Sequence, residues 1–313
     1  MEERIKMEVD LYDSISEWLE NYKRNSVKPA TYDRMKVSLL MMSRYDISGM
    51  NVSEIRSNDI QKYINELVRD GYALTTIKKQ YTLLTAYMKY AFSQGYISSP
   101  VYLGAKLPSQ VAVSKKPKNV EAYSVTEQKR LLPILMGLED DIFGAAVLMM
   151  EAGLRVGEAL SLEWSDVDWD RRALRISKTM VRLTSEKGAT FVQDGAKSKS
   201  SNRIVPLSRN AYDILERLFQ KSKNSQGYIF RKQSGTYTYD SAKYHILKAF
   251  DRAGIQYKGF HAFRHTFATN CYKRGCDVKI LSKLLGHSDV AITYNVYIHL
   301  YGDALEEMRS VIE

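Results

Sequence analysis

At 313 residues, with 44% apolar and 26% charged side chains, the chain has room for two folded domains and the composition of an ordered protein. Lysine and arginine outnumber aspartate and glutamate by 46 to 36, a formal net charge of +10 that favours a polyanionic partner. The longest apolar runs, 131–138 and 143–150, fall far short of the roughly 20 residues of a membrane span, and the charged stretch from Met1 to Lys6 does not read as a secretory signal.

The first hundred residues read as helices joined by short connections, with apolar side chains three and four apart. One stripe runs through Ile15, Trp18, Leu19 and Tyr22, a second through Ile60, Tyr63, Ile64, Leu67 and Val68, and a third through Ile77, Tyr81, Leu84, Met88 and Phe92. A further helix is expected over 30–43. The open side of the last helix carries Lys78, Lys79 and Lys89, which can face phosphate or water. Periodicity stops over 101–120, at Gly104, Pro108, Pro117 and the basic cluster Lys115, Lys116 and Lys118. The expected division is a helical domain over 1–105, a linker over 106–120 and a second domain over 121–313.

That second domain opens on Ser124-Val125-Thr126-Glu127, a capping box, and helices are expected to about Leu162. From Trp164 to Leu207 the character changes: 174–177 and 203–207 read as strands with polar, turn-rich sequence between them. Helices return over 211–221, 241–253, 261–274, 278–285 and 304–312. The fold expected is therefore mostly α with a small antiparallel β-sheet. Between Arg171 and Arg203, nine basic residues stand against Glu186 and Asp194 alone, a stripe that suits a polyphosphate surface or a solvated hairpin. Two cysteines, Cys271 and Cys276, lack partners at zinc-binding spacing and read as unpaired thiols of a reducing compartment.

Four of the five histidines, His261, His265, His287 and His299, fall within 39 residues near the C-terminus. His261 and Arg264 are three apart, hence on one helical face, while Phe263 and Phe267 can turn inward. Gly153-Leu154-Arg155 follows an apolar helix, with Glu158 one helical step beyond the arginine. Two arginines on separate elements can fork onto the oxygens of one phosphate. Leu285-Gly286-His287 precedes Tyr297 by ten residues from the histidine. A tyrosine can be a covalent nucleophile, but a phenol with a pKa near 10 needs cations and imidazoles around the phosphate it attacks.

These boxes, Gly153-Leu154-Arg155 with Glu158, His261-x-x-Arg264, Leu285-Gly286-His287 and Tyr297, resemble in order and spacing the signature of the tyrosine recombinase (phage integrase) family. The strand over 203–207 resembles the segment after that family's catalytic lysine. The resemblance runs from about residue 10 to the end and leans toward the integrases of integrative elements and conjugative transposons. It implies a two-domain, C-shaped DNA clamp, a helical core-binding domain followed by a mixed α/β catalytic domain. The implied activity is site-specific cutting and rejoining of DNA through a 3′-phosphotyrosyl intermediate, for integration or excision of a mobile element. By position, Arg155 and Arg264 would hold the scissile phosphate, His261 and His287 would hydrogen-bond it and assist proton transfer, Tyr297 would attack, and Lys197 would protonate the departing 5′-oxygen. Glu158 would orient Arg155 or a histidine. Lys78, Lys79, Lys89, Lys115, Lys116, Lys118, Lys199 and Arg203 are the expected DNA-backbone contacts.

The resemblance further implies no metal and no cofactor, since arginines neutralise the charge and the phosphotyrosine conserves the bond energy. The partners implied are double-stranded DNA carrying recombination sites, four copies of the chain on DNA that are monomeric or weakly associated when free, and accessory DNA-bending or directionality factors. The setting implied is the prokaryotic cytoplasm, at the nucleoid. Lys199, on the same side of any strand as Lys197, is the alternative general acid, and Tyr294 the alternative nucleophile. His245, His265 and His299 read as packing histidines. Leu305, Met308 and Ile312 form a terminal stripe that docks on a neighbouring copy or on its own domain. About nine residues precede the first stripe, which suits the two-domain type or a chain without the arm-binding domain that many integrases carry. The alternatives in function are a type IB topoisomerase and a catalytically silent DNA-binding regulator.

Overall fold

The structure, a computed structural model, describes residues 9–113, 121–185, 190–194, 202–222, 226–232 and 235–297. The chain divides into two compact units, one of residues 1–118 with 183–189 and one of 119–182 with 190–313. It is mostly helical with small antiparallel sheets, as its sequence pattern predicts.

Four helices build the first unit: α1 (Leu11–Trp18), α2 (Pro29–Met42), α3 (Ser57–Arg69) and α4 (Leu74–Ser93). Asp10 caps α1 by accepting the Asp13 N–H at 2.8 Å, and Pro29 opens α2 at a position where its missing N–H costs nothing. The three apolar stripes meet in one core that buries Ile15, Trp18, Leu19, Ile60, Tyr63, Ile64, Leu67, Ile77, Leu84 and Met88. Tyr22 leaves its stripe and is 52% exposed. The cause is a π-helical turn over Leu19–Lys23, closed by the Arg24 N–H to Leu19 O bond at 2.9 Å, which breaks the 3.6-residue register on which the stripe was read. Lys78, Lys79 and Lys89 stand exposed on α4, with Lys89 Nζ 5.7 Å from the Tyr102 ring centre. Within this unit the buried Asp33 carboxylate accepts hydrogen bonds from Thr184 N, Ser185 N and Ser185 Oγ.

In the second unit the capping box forms as the sequence predicts: Ser124 Oγ accepts the Glu127 N–H and Glu127 Oε2 accepts the Ser124 N–H, opening α5 (Val125–Gly137). The apolar run reappears as α6 (Ile142–Glu151), buried at every residue from Ile142 to Met150 and packed among the surrounding helices. After the short α7 (Val156–Leu160) come β1 (Val167–Asp168), β2 (Ala173–Ile176), β3 (Lys178–Arg182), β4 (Thr190–Asp194) and β5 (Arg203–Pro206). The antiparallel sheet runs β1-β2-β5, with Leu174 opposite Val205 and Ile176 opposite Arg203, while β3 and β4 pair as a separate hairpin. Helix α8 (Arg209–Lys221), the small β6 (Arg231–Lys232) and β7 (Gly235–Thr236) pair, and helices α9 (Tyr239–Ala253), α10 (Phe260–Lys273), α11 (Val278–Leu285) and α12 (Val290–Tyr297) complete the described chain. Helix α6 packs against α5, α8, α9 and α10 and so fixes the ends from which the site is built. Among the described residues no helix is long and apolar enough to cross a membrane.

Candidate active site

The turn after α6 places the first arginine. Gly153 adopts φ +68°, and a Cβ there would lie 2.4 Å from the Phe267 ring on α10, so the position requires glycine twice over. Arg155 then serves as the first residue outside α7, its N–H donating to Glu158 Oε2 at 2.9 Å in a reversed cap. Its guanidinium donates to Glu158 Oε1 at 2.7 Å and to Gly286 O at 3.1 Å, and its side chain keeps 34% of its surface open.

Helix α10 supplies the second arginine from the opposite side. Phe263 is fully buried and anchors the helix in the core, so Arg264, the next residue, enters the interior while His261, one turn earlier, stays exposed. The buried Arg264 guanidinium donates to Gly153 O at 2.9 Å and to Leu285 O, and lies 4.0 Å from Glu158 Oε2.

Helix α11 ends where the third box begins. Gly286 takes the left-handed conformation at φ +63°, and the Gly286 and His287 N–H groups turn back onto Lys283 O and Ser282 O. The last three carbonyls of this end then meet three guanidiniums: Leu284 O accepts from Arg203 Nε at 2.6 Å, Leu285 O from Arg264 and Gly286 O from Arg155. A helix C-terminus carries partial negative charge, so it attracts cations, typically by 0.3–1 kcal/mol each. Glu158 sits among the three, 4% exposed, and takes a two-pronged ion pair from Arg203 at 3.1 and 2.9 Å. Burial alone would raise its pKa, but the hydrogen bonds and charge of Arg203, then of Arg155, hold it down at about 2. These four groups keep two net positive charges.

The histidines respond to that charge. His287 is half-buried, its Nδ1 2.8 Å from Thr293 Oγ1 on α12, and Thr293 is itself fully buried. Burial first, then Arg264, Arg155 and Arg203, push the His287 pKa down to about 4. His261 is lowered too, by loss of water on its protein side and by Arg264 and Arg155. Both imidazoles are therefore neutral at pH 7. If Thr293 donates to Nδ1, the opposite nitrogen of His287 carries the proton and presents it to an anionic oxygen. An arriving phosphodiester offsets the guanidinium charge and makes either ring a better proton acceptor. Among the described residues no group of three or more His, Cys, Asp or Glu side chains is placed to hold a metal ion.

The model of the phage integrase family matches residues 134–303, more than half of the chain and every box of this site. The chain belongs to the phage integrase family, the tyrosine recombinases. The family's N-terminal SAM-like domain matches 11–68, covering α1 to α3. A tyrosine recombinase XerC-like protein of Caldanaerobacter subterraneus subsp. tengcongensis is 31% identical over 317 residues, covering 94% of this chain and 80% of the relative. Among solved structures, the Tn1549 transposon integrase in complex with a circular-intermediate DNA superposes with a TM-score of 0.78 at 18% identity, covering 97% of this chain and 99% of that one. A lambda integrase tetramer bound to a Holliday junction gives 0.65 at 15% identity, covering 92% and 77%.

Against the sequence-based expectations for this recombinase, the structure brings Arg155, Glu158, Arg264 and His287 together, with His261 within electrostatic reach of both arginines. Tyr297 lies in α12, one helical turn beyond Thr293. Lys197, Lys199, Lys115, Lys116, Lys118, His299 and the terminal stripe of Leu305, Met308 and Ile312 lie outside the described residues. Arg203 is a correction: expected as a DNA-backbone contact, its side chain is 6% exposed and committed to Glu158 and Leu284 O. Among the described residues of the basic stripe, Arg171, Arg175, Lys178 and Arg182 face Asp168, Asp166, Glu163 and Asp240. His245, in the middle of α9, pairs with Asp140 at 2.6 Å, and His265 is half-buried beside the site. Thr293 escaped the sequence reading, although a hydroxyl six residues after the histidine, at the start of a helix, was the available signal.

Proposed function

We propose that this tyrosine recombinase cuts and rejoins duplex DNA at specific sites, through a covalent 3′-phosphotyrosyl intermediate on Tyr297, in the integration and excision of a mobile element. The observation that carries the reading is the cluster of Arg155, Arg264 and Arg203 around one buried carboxylate, with two net positive charges and two neutral imidazoles at its rim. A phosphodiester carries one negative charge and its five-coordinate transition state develops a second, so the cluster matches the charge of the transition state better than that of bound DNA. Arg155 and Arg264 take the two non-bridging oxygens. His261 and His287 donate to them or accept the phenol proton. The Tyr297 oxygen bonds to phosphorus, the bond to the 5′-oxygen breaks, and Lys197 delivers the proton that oxygen needs. Rejoining reverses these steps, so no nucleotide need be consumed.

Lys78, Lys79 and Lys89 on α4 are suited to the DNA backbone. Assembly of four copies on DNA is supported by the lambda integrase tetramer bound to a Holliday junction, and a mobile-element substrate by the transposon integrase in complex with a circular-intermediate DNA. The site of action is nucleoid DNA in a prokaryotic cytoplasm. Incubation with nicked duplexes of a candidate site, in EDTA, tests the reading. A denaturant-resistant protein–DNA adduct that depends on site sequence is expected. Relaxation of arbitrary supercoiled plasmid without site preference would make it a topoisomerase, and binding without an adduct a silent regulator.

A further inference from the structure

We propose that Arg203 is a positioning residue for strand cleavage: it never touches DNA, but draws the Glu158 carboxylate onto itself and pins the end of α11, leaving Arg155 and Arg264 their charge for the phosphate. This inference rests on the function proposed above.

Strand alternation puts Arg203 inside. Along β5, Arg203 and Val205 are buried while Ile204 is 62% exposed, so the guanidinium shares the face that packs on the core. There its planar fork is used on two fronts. Two nitrogens grip the two oxygens of Glu158, and the third donates to Leu284 O at 2.6 Å. Glu158 is shared: Oε1 accepts from Arg155 at 2.7 Å and Arg203 at 3.1 Å, while Oε2 accepts from the Arg155 N–H and from Arg203, with Arg264 4.0 Å away. Without Arg203 the same carboxylate would fall wholly to Arg155 and Arg264 and cancel half of the charge they offer. The cluster would keep one net positive charge in place of two, a poorer match to a transition state that gains negative charge. Loss of the Leu284 bond would also free the segment that carries Gly286 O, the second partner of Arg155, and then His287. Lysine supplies the charge but not the fork.

Two variants test this, Arg203→Met and Arg203→Lys, each compared with the wild-type protein on the same nicked duplex. Adduct formation by the wild type tests the proposed function itself; the variants are read only as ratios to it. Arg203→Met is expected to bind duplex within about threefold of wild type, with an unchanged salt dependence, while the rate of adduct formation from the bound complex falls on the order of 10²-fold, as for removal of one preorganised donor. Arg203→Lys should recover part of that rate. The titration midpoint of His287, followed by NMR, should move up in Arg203→Met, since one of the cations that oppose its protonation is gone. Adding Glu158→Gln to Arg203→Met should cost less than the two single effects together, because the pair is removed as a unit. An undiminished cleavage rate in either single variant overturns the proposal. So does a loss of duplex affinity with a salt slope reduced by about one phosphate contact, which would make Arg203 a DNA ligand. Should Arg203→Met fail to fold, Arg203→Lys decides alone: cleavage at the wild-type rate refutes the positioning role, and slowed cleavage at unchanged affinity supports it.

Discussion

Tyr297→Phe is expected to bind site DNA like the parent protein and to form no covalent adduct. Phenylalanine keeps the ring and removes the oxygen proposed to bond to phosphorus, so affinity, which would be spread over many phosphate contacts, should be almost untouched. Cleavage has no substitute path of comparable rate, and the loss should be on the order of 10⁴-fold or more. Gel analysis of denatured reactions on a nicked duplex reads both quantities. Tyr294→Phe is the companion variant. Tyr294 is 43% exposed, whereas Thr293 beside it is buried against His287, and Tyr297 has the spacing from His287 that the family signature calls for. Tyr294→Phe should therefore form the adduct at close to the wild-type rate.

Glu158→Gln should be among the most destabilising conservative substitutions in the second unit. It leaves the buried guanidiniums of Arg203 and Arg264 without their carboxylate, and breaking a buried ion pair from one side costs on the order of 3–5 kcal/mol. The depressed pKa gives an independent figure. A carboxyl held at about 2 when folded, against 4.5 as the ordinary value, contributes about 3 kcal/mol. That contribution is present above pH 4.5 and is lost as the pH falls toward 2. Denaturant unfolding at pH 7 should thus show a large deficit in Glu158→Gln, and the gap to wild type should narrow on acidification. A deficit that is absent, or independent of pH over that interval, would contradict the assigned charge balance.

Much of this architecture was legible because local signals agreed with the final packing. The capping pair of Ser124 and Glu127, the helix over Val278–Leu285 closed by Gly286, and the strands around Leu174 and Val205 each carry their cause within a few residues. The three arginine and histidine boxes were legible for a different reason: their residue types are set by chemistry, and they come in a fixed order. What the sequence concealed depends on neighbours far along the chain. The π-helical turn at Leu19–Lys23 shows only as Tyr22 dropping out of its stripe. The β3–β4 hairpin stayed hidden because Thr179, Met180 and Val181 are only half-buried, so no clean alternation marks it. Arg203 was misread because Ile204 and Val205 are both apolar, and period two alone does not say which of them faces the core. Its carboxylate partner lies 45 residues away. The basic stripe looked weakly opposed for a simpler reason: the carboxylates that meet it, Glu163, Asp166, Asp168 and Asp240, lie outside residues 171–203.

The most direct test is to locate the covalent bond. The adduct formed on a nicked duplex is trimmed with nuclease, digested with protease and fragmented in a mass spectrometer. A nucleotide remnant joined through phosphate to the oxygen of Tyr297 is the predicted result; a remnant on Tyr294 or on any other side chain would contradict it.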